Sequence, residues 1–350
     1  MKTGFFLPEK RIDVFAALGN VMRNAAAGVT GGHAGQFAGL IEALHLSNPW
    51  FTPENVRRAL GAIGNALTTE KLKRWLSEYP MLNDDRKPST VGVVMAGNIP
   101  LAGFHDLLSV LITGNRLQAK LSSKDELLMQ AVVDTLISIE TGLKDYIELT
   151  PGTLSGFDMV IATGSNNTSR YFEYYFRNVP SVIRRNRNSI AVLDGTETPE
   201  ELELLGDDIF SYFGLGCRNV SKLYLPADYD IARLPAFWKK YESLREHSKY
   251  AANYDHNKAI MIVNRTPFTD AGFVILRNDT SLTPPMAVVN YEFYSGPGMA
   301  EKETVRLKNL LQCVTGHGYT PYGNSQKPEL WEYADNVDTI SFLLKKNLIR

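Results

Sequence analysis

From Val91 to Asp194 short apolar runs of β type alternate with helical stretches, and this alternation constrains the fold more than any other property of the chain. The runs are VGVVMA (91–96), RLQAKL (116–121), YIELT (146–150), DMVIAT (158–163) and IAVLD (190–194). Helical stretches through FHDLLSVLIT, ELLMQAVVDTLISI and RYFEYYF separate several of them. Strands joined by helical crossovers pair in parallel, because a tight hairpin can only reverse the chain. The expected fold class is therefore α/β with a parallel, doubly wound sheet. Such a sheet binds ligands at the carboxyl ends of its strands.

Around this region the pattern changes. Residues from Arg11 to about Pro80 read as a helical lead-in, with Thr52 and Pro53 as N-cap and first-turn proline of one helix. After IAVLD comes a long helical stretch, PEELELLGDDIFSYF, then GLGCRNVSKLYLP and further strands such as FVILR and MAVVNY. A domain boundary is expected near residue 190, since 350 residues suffice for about two cores.

Composition excludes several classes. The 37 Lys+Arg against 38 Asp+Glu give a net charge of -1, which leaves no excess of cations to neutralise a nucleic-acid backbone. Two cysteines, Cys217 and Cys313, cannot build a disulfide framework, so a reducing cytoplasm is expected. The opening MKTGFFLPEKRIDVF lacks the apolar core of a secretory signal. The most apolar long window, Val91 to Thr113, is broken by Asn98, Pro100, His105 and Asp106, so no membrane span is expected.

Three segments carry chemistry. Cys217 sits in FGLGCRN, a glycine-rich turn between a helical run and an apolar strand, where exposed backbone N–H groups can hold an oxyanion. Two readings stand on these residues alone: a nucleophilic thiol, or a buried and inert one. Cys313, in NLLQCVTG, reads as a structural thiol at the end of an amphipathic helix. GLGCRN is not a dinucleotide fingerprint, since its sixth position is Asn219 and it follows a helix. The six histidines show no metal-ligand spacing.

The second segment is VGVVMAGNIPLAGFHDLLSVLITGNRLQAKL, which presents Asn98 after one strand and Lys120 at the end of the next. An amide at that edge can polarise a carbonyl; the alternative is a turn asparagine and a surface lysine. The third is DMVIATGSNNTSRYF, where Gly164 and Ser165 open a helix whose N-terminus suits a phosphate, or serve only as its cap.

Taken in order, Gly-Asn before a helix, a strand ending in Lys, a strand ending in Thr-Gly-Ser and a lone Cys after Gly-x-Gly resemble the aldehyde dehydrogenase superfamily. The spelling is most similar to its LuxC-like branch, the long-chain acyl-CoA and acyl-protein reductases, over about residues 90–320. The resemblance implies an aldehyde-dehydrogenase-like fold, with a helical lead-in and NAD(P)-binding domain at 1–190 and a catalytic domain at 191–322. Residues 323–350 then return to the cofactor domain or form an oligomer interface. It also implies Cys217 as nucleophile and Asn98 as the amide sharing the oxyanion hole with the Cys217 N–H. For the cofactor it implies Lys120 as ribose or 2′-phosphate contact, Gly164 and Ser165 as pyrophosphate turn, and Glu292, in NYEFYSGP, as a nicotinamide-ribose contact with altered spacing.

One departure bears on the reaction. Hydrolytic members of the superfamily carry a glutamate in a Glu-Leu-Gly-Gly segment some thirty residues before the cysteine, whereas this chain reads SVIRRNRNSIAVLDG there. Without a water-activating base an acyl-enzyme would last long enough to accept hydride. The expectation is NADPH-dependent reduction of a fatty acyl thioester to aldehyde. Its donor would be acyl-CoA or an acylated carrier protein or synthetase, and its state a homo-oligomer. Arg184, Arg185 and Arg187 either meet a phosphate of cofactor or CoA or are a solvated charge run, and His256 and His317 are the histidines nearest plausible loops. Two alternatives remain: a Cys217-dependent acyltransferase or thioesterase that binds no nicotinamide, and a non-catalytic acyl-carrier-binding protein.

Overall fold

A computed structural model describes residues 7–84 and 86–345. The chain forms two compact units, one built from Met1–Arg185 together with Pro328–Arg350, the other from Asn186–Lys327.

The first unit opens with α1 (Pro8–Ala26), α2 (Gly35–Ser47), α3 (Pro53–Ala66) and α4 (Thr69–Ser77). Thr52 caps α3 by accepting the Asn55 N–H at 3.3 Å, with Pro53 in the first turn. α1 and α3 approach closely at glycines: a Cβ on Gly19 would stand 2.5 Å from the Leu67 carbonyl oxygen, and one on Gly64 2.9 Å from the Arg23 nitrogen. Then β1 (Thr90–Val94), α5 (Phe104–Ile112), β2 (Arg116–Lys120), α6 (Glu126–Ile139), β3 (Ile147–Leu149), β4 (Met159–Thr163), α7 (Asn166–Tyr175) and β5 (Ser181–Arg184) follow. The strands pair in parallel in the order β3-β2-β1-β4-β5. The chain winds outward from β1 through β2 to β3, then returns to the other side of β1 for β4 and β5. The strand order thus reverses between β1 and β4, the position at which an open parallel sheet presents its crevice.

Arg184 closes this unit. Its guanidinium donates to both carboxylate oxygens of Asp106 on α5, at 2.6 and 3.4 Å, to the Ala334 carbonyl at 2.7 Å and to Thr339 Oγ1 at 2.9 Å. Thr339 begins α11 (Thr339–Leu344), which packs against α5. A buried cation with a forked carboxylate partner and two further acceptors is fully compensated. It pins the last strand of the sheet to the returning C-terminal segment.

The second unit contains β6 (Asn188–Val192), α8 (Pro199–Phe210), β7 (Val220–Pro226), α9 (Ser248–Val263), β8 (Thr269–Asp270), β9 (Ile275–Asn278), β10 (Val288–Tyr294), α10 (Pro297–Leu307) and β11 (Leu311–Gly316). Its sheet runs β11-β6-β7-β10-β9-β8, parallel throughout except for the β8–β9 pair. Leu202, Leu205 and Ile209 of α8 and Leu223 and Leu225 of β7 join the Trp238 region in its core. Cys313 belongs to β11 rather than to a helix end: LQCVTG extends and pairs with β6, and the apolar residues before it, which suggested a helix, end in a short 3-10 turn. Among the described residues, no helix is long and apolar enough to cross a membrane.

α8 starts with a capping box, Thr198 and Glu201 bonding each other's backbone N–H. The other Glu201 oxygen meets His317 Nε2 at 3.0 Å, and Asp194, just past β6, meets His317 Nδ1 at 2.9 Å. These bonds to Asp194 and Glu201 push the His317 pKa up to about 9. A pKa raised in the folded state stabilises in full below the ordinary histidine value and is lost as pH rises through the folded one. The side chain is 41% exposed, so solvent screening limits the effect to about 1 kcal/mol. Thermal melting between about pH 7 and pH 10 is expected to fall more steeply for the wild type than for His317→Asn. Parallel profiles would contradict the assignment.

Candidate active site

In the first unit the parallel pairing gathers the loops that follow β1, β2 and β4 at one sheet edge. Val94 pairs with both Lys120 and Ala162, so Lys120, the Asn98 loop and the Gly164–Ser165 turn leave from adjacent strand ends. Asn98, Lys120 and Ser165 are exposed there, and Gly164 is half-buried. Four of the residues that the sequence nominates thus lie at one edge of this sheet.

The Asn98 loop is held by its neighbours. A Cβ on Gly97 would lie 2.4 Å from Ser122 Oγ, so only glycine lets the loop pass this close to the turn after β2. Leu101 adopts a left-handed backbone, φ 59°, and its N–H donates to Asp125 Oδ2 at 2.7 Å. Asp125 is the N-cap residue of α6 yet gives its own helix no side-chain bond. Burial drives its carboxyl well above the usual range, against the lowering effect of the Leu101 N–H. The sequence reading missed this residue, because SSKDE looks like an ordinary helix start.

Ser165 caps α7, accepting the Thr168 N–H at 3.2 Å, and no acidic residue occupies the first turn of that helix. A Gly-Ser turn at a helix N-terminus with no carboxylate in its first turn fits a pyrophosphate, and exposed Lys120 fits a ribose or 2′-phosphate. A nicotinamide dinucleotide is therefore compatible with the residues present.

In the second unit Cys217 is exposed and Cys313 buried. α8 stops at Phe210, and the next residues turn sharply: Tyr212, Phe213 and Gly214 have φ of 53°, 59° and 76°. Two consecutive non-glycine residues in that region cost about 1–2 kcal/mol each. Cys217 then lies in the turn Gly216–Asn219, closed by the Asn219 N–H on the Gly216 carbonyl at 3.0 Å. Ser189 Oγ donates to the Cys217 carbonyl at 2.9 Å. Asn219, only 3% exposed, accepts the Gly216 N–H at 2.8 Å and donates to the carbonyls of Asp208, Ile209 and Ser211 at 3.2, 3.2 and 2.8 Å. Asp208 is itself buried, which pushes its carboxyl up to about 6, and it accepts the Gly323 and Ser325 N–H groups.

His247 packs its ring on Phe213, centroids 4.5 Å apart, and its Nδ1 accepts the Tyr250 N–H at 3.3 Å. The sequence reading named His256 and His317 only as the histidines nearest plausible loops, with no role assigned to either. His317 has both ring nitrogens engaged by carboxylates, and His256 is exposed on α9.

Two further nominations sit elsewhere. Of the arginines, Arg184 is buried on Asp106 and so belongs neither to a phosphate site nor to a solvated charge run, and Arg185 pairs with Glu173 at the surface. Glu292 is bonded to Lys222, whose side chain is fully buried and whose Nζ also donates to the Thr280 carbonyl at 2.7 Å. Glu292 pairs in register with Tyr224, in the second half of β7, whereas Cys217 precedes the first residue of that strand.

No protein-family model matches the sequence, and comparison with curated proteins returns no match. Solved structures do match. A Mycobacterium tuberculosis aldehyde dehydrogenase complexed with NAD+ superposes with a TM-score of 0.57 at 14% identity, over 88% of this chain and 72% of that one. A cysteine-to-alanine mutant of aldehyde dehydrogenase C from Pseudomonas syringae, complexed with NAD+ and octanal, gives 0.61 at 12% identity over 88% and 72%. Aldehyde dehydrogenase 21 from Physcomitrella patens, in complex with succinate, gives 0.60 at 13% over 88% and 77%. The fold is that of the aldehyde dehydrogenases. Within that α/β fold Cys217 occupies an exposed turn between α8 and β7, and the Gly-Ser turn the carboxyl edge of the first sheet.

The ion pair makes Glu292 a support of buried Lys222. Glu292→Ala would leave that cation without its carboxylate, so chemical denaturation is expected to show a loss of about 3–5 kcal/mol. A variant as stable as the wild type but with weakened cofactor affinity would instead return Glu292 to the cofactor.

Proposed function

We propose that the protein reduces a long-chain fatty acyl thioester, carried on CoA or on a protein, to the aldehyde, with NADPH as hydride donor. The observation that carries this reading is chemical. Where the hydrolytic enzymes resembled by the sequence hold a glutamate, this chain has β5 and the turn to β6, and a buried charged side chain there is Arg184, locked on Asp106. An arginine held by four hydrogen bonds cannot take a proton from water. An acyl group on Cys217 would then await another acceptor.

In this mechanism Cys217 Sγ, as thiolate, adds to the thioester carbonyl; the carbon–sulfur bond to the donor breaks, and the donor thiolate leaves and is protonated. Cys217 now carries the acyl group. A nicotinamide held by this chain would supply hydride to that carbonyl. The resulting thiohemiacetal oxyanion collapses, breaking the bond to Sγ and releasing aldehyde and the Cys217 thiolate. Thioester, NADPH and one proton give aldehyde, thiol and NADP+. The backbone N–H of Cys217 serves as one oxyanion donor and the Asn98 amide as the second donor implied by the resemblance; such donors contribute roughly 2.7–4 kcal/mol each. Gly164, Ser165 and Lys120 would hold the cofactor. Neighbours complexed with NAD+ support a nicotinamide, and NADPH in particular rests on Lys120 and the resemblance.

The test is NADPH absorbance on addition of acyl-CoAs of increasing chain length, with Cys217→Ala beside the wild type. Aldehyde formation that matches NADPH loss, is strongest for long chains and disappears in the variant is expected. Turnover of the thioester to free acid without NADPH loss would favour a thioesterase instead.

A further inference from the structure

Asn219 occupies a position that neither its type nor its place in the sequence announces. It is buried, and its side chain bridges two segments: its Nδ2 takes the Asp208, Ile209 and Ser211 carbonyls at the end of α8, and its Oδ1 takes the Gly216 N–H. Between those two anchor points lies the left-handed run at 212–214. The carbonyls at a helix end have no partner within the helix, so Asn219 also serves as the remote cap of α8. With its own N–H on the Gly216 carbonyl, it holds both ends of the four-residue turn that carries Cys217. The Ser189 hydroxyl fixes the same turn from β6 through the Cys217 carbonyl.

We propose that Asn219 is the positioning residue of the nucleophile. It straps the strained run shut, so that the Cys217 thiolate and backbone N–H keep one orientation, and Ser189 secures the intervening peptide. A turn released from this strap would relax its left-handed residues and scatter the N–H dipoles that favour both the thiolate and the oxyanion. Misplacement on this scale affects the bond-making step far more than substrate binding.

The inference rests on Cys217 being the nucleophile, and its test can be read without turnover. In the full-length protein, iodoacetamide alkylation of Cys217 is followed against pH by intact mass and peptide mapping, with buried Cys313 resolved separately, for wild type, Asn219→Ala and Ser189→Ala. Expected for Asn219→Ala is a midpoint of alkylation moved up by about one pH unit, equivalent to a tenfold shift in ionisation. With the best acyl-CoA, kcat is expected to fall roughly 10- to 100-fold with little change in KM. Ser189→Ala is expected to move both in the same direction by less, and it decides the matter if Asn219→Ala does not fold. An alkylation profile and kcat that coincide with wild type in the folded variants would overturn the proposal. A wild-type protein whose Cys217 alkylates readily but which oxidises no NADPH would defeat the reductase reading alone, leaving the alkylation profiles to decide the role of Asn219.

Discussion

Parallel pairing obliges every strand of the first sheet to be followed by a crossover, and all of those crossovers leave from the same edge. The edge is where backbone N–H groups at strand ends and helix starts remain available to ligands, and the reversal of strand order between β1 and β4 opens it. Asn98, Lys120, Gly164 and Ser165 share that edge because their strands are in register. Local devices then set each loop: Gly97 permits close passage over Ser122, the Asp125 carboxylate holds Leu101, and Ser165 caps α7.

The second unit places its thiol differently. Cys217 stands before β7, on a turn made by a chain that leaves α8 in a left-handed sense and is held in that shape by buried side chains. The same end of α8 takes Asn219 on its carbonyls, while the Asp208 carboxylate takes two N–H groups from the 323–325 segment. The helix, the Cys217 turn and that segment are one hydrogen-bonded assembly. Any change at its buried members should be felt at the thiol.

Patterns with local causes were legible in the sequence. Alternation along β1 to β4, the Thr52 cap with Pro53 and the Gly-x-Gly turn before Cys217 each depend on neighbours a few residues away. What escaped depends on distant partners. Cys313 read as helical because the Leu310–Leu311 pair before it is apolar and not β-branched, but pairing with β6 extends it. Arg184 looked like one member of a surface charge run, and only the packing of α5 and α11 shows its carboxylate and hydroxyl partners. Glu292 was nominated by the family resemblance, with altered spacing, while its buried partner Lys222 lies seventy residues earlier in the chain. Asn219 served only to reject a dinucleotide fingerprint, since nothing nearby discloses its contacts across the turn.

These observations meet in one chemical claim, that the acyl group on Cys217 is protected from water and reserved for hydride. The most direct test is to load the protein with a long-chain acyl-CoA in the absence of cofactor, record its intact mass over time, and then add NADPH. The account predicts a single acyl adduct, absent in Cys217→Ala, that persists until NADPH discharges it as aldehyde. An adduct that decays to free fatty acid at the same rate with or without NADPH would contradict it.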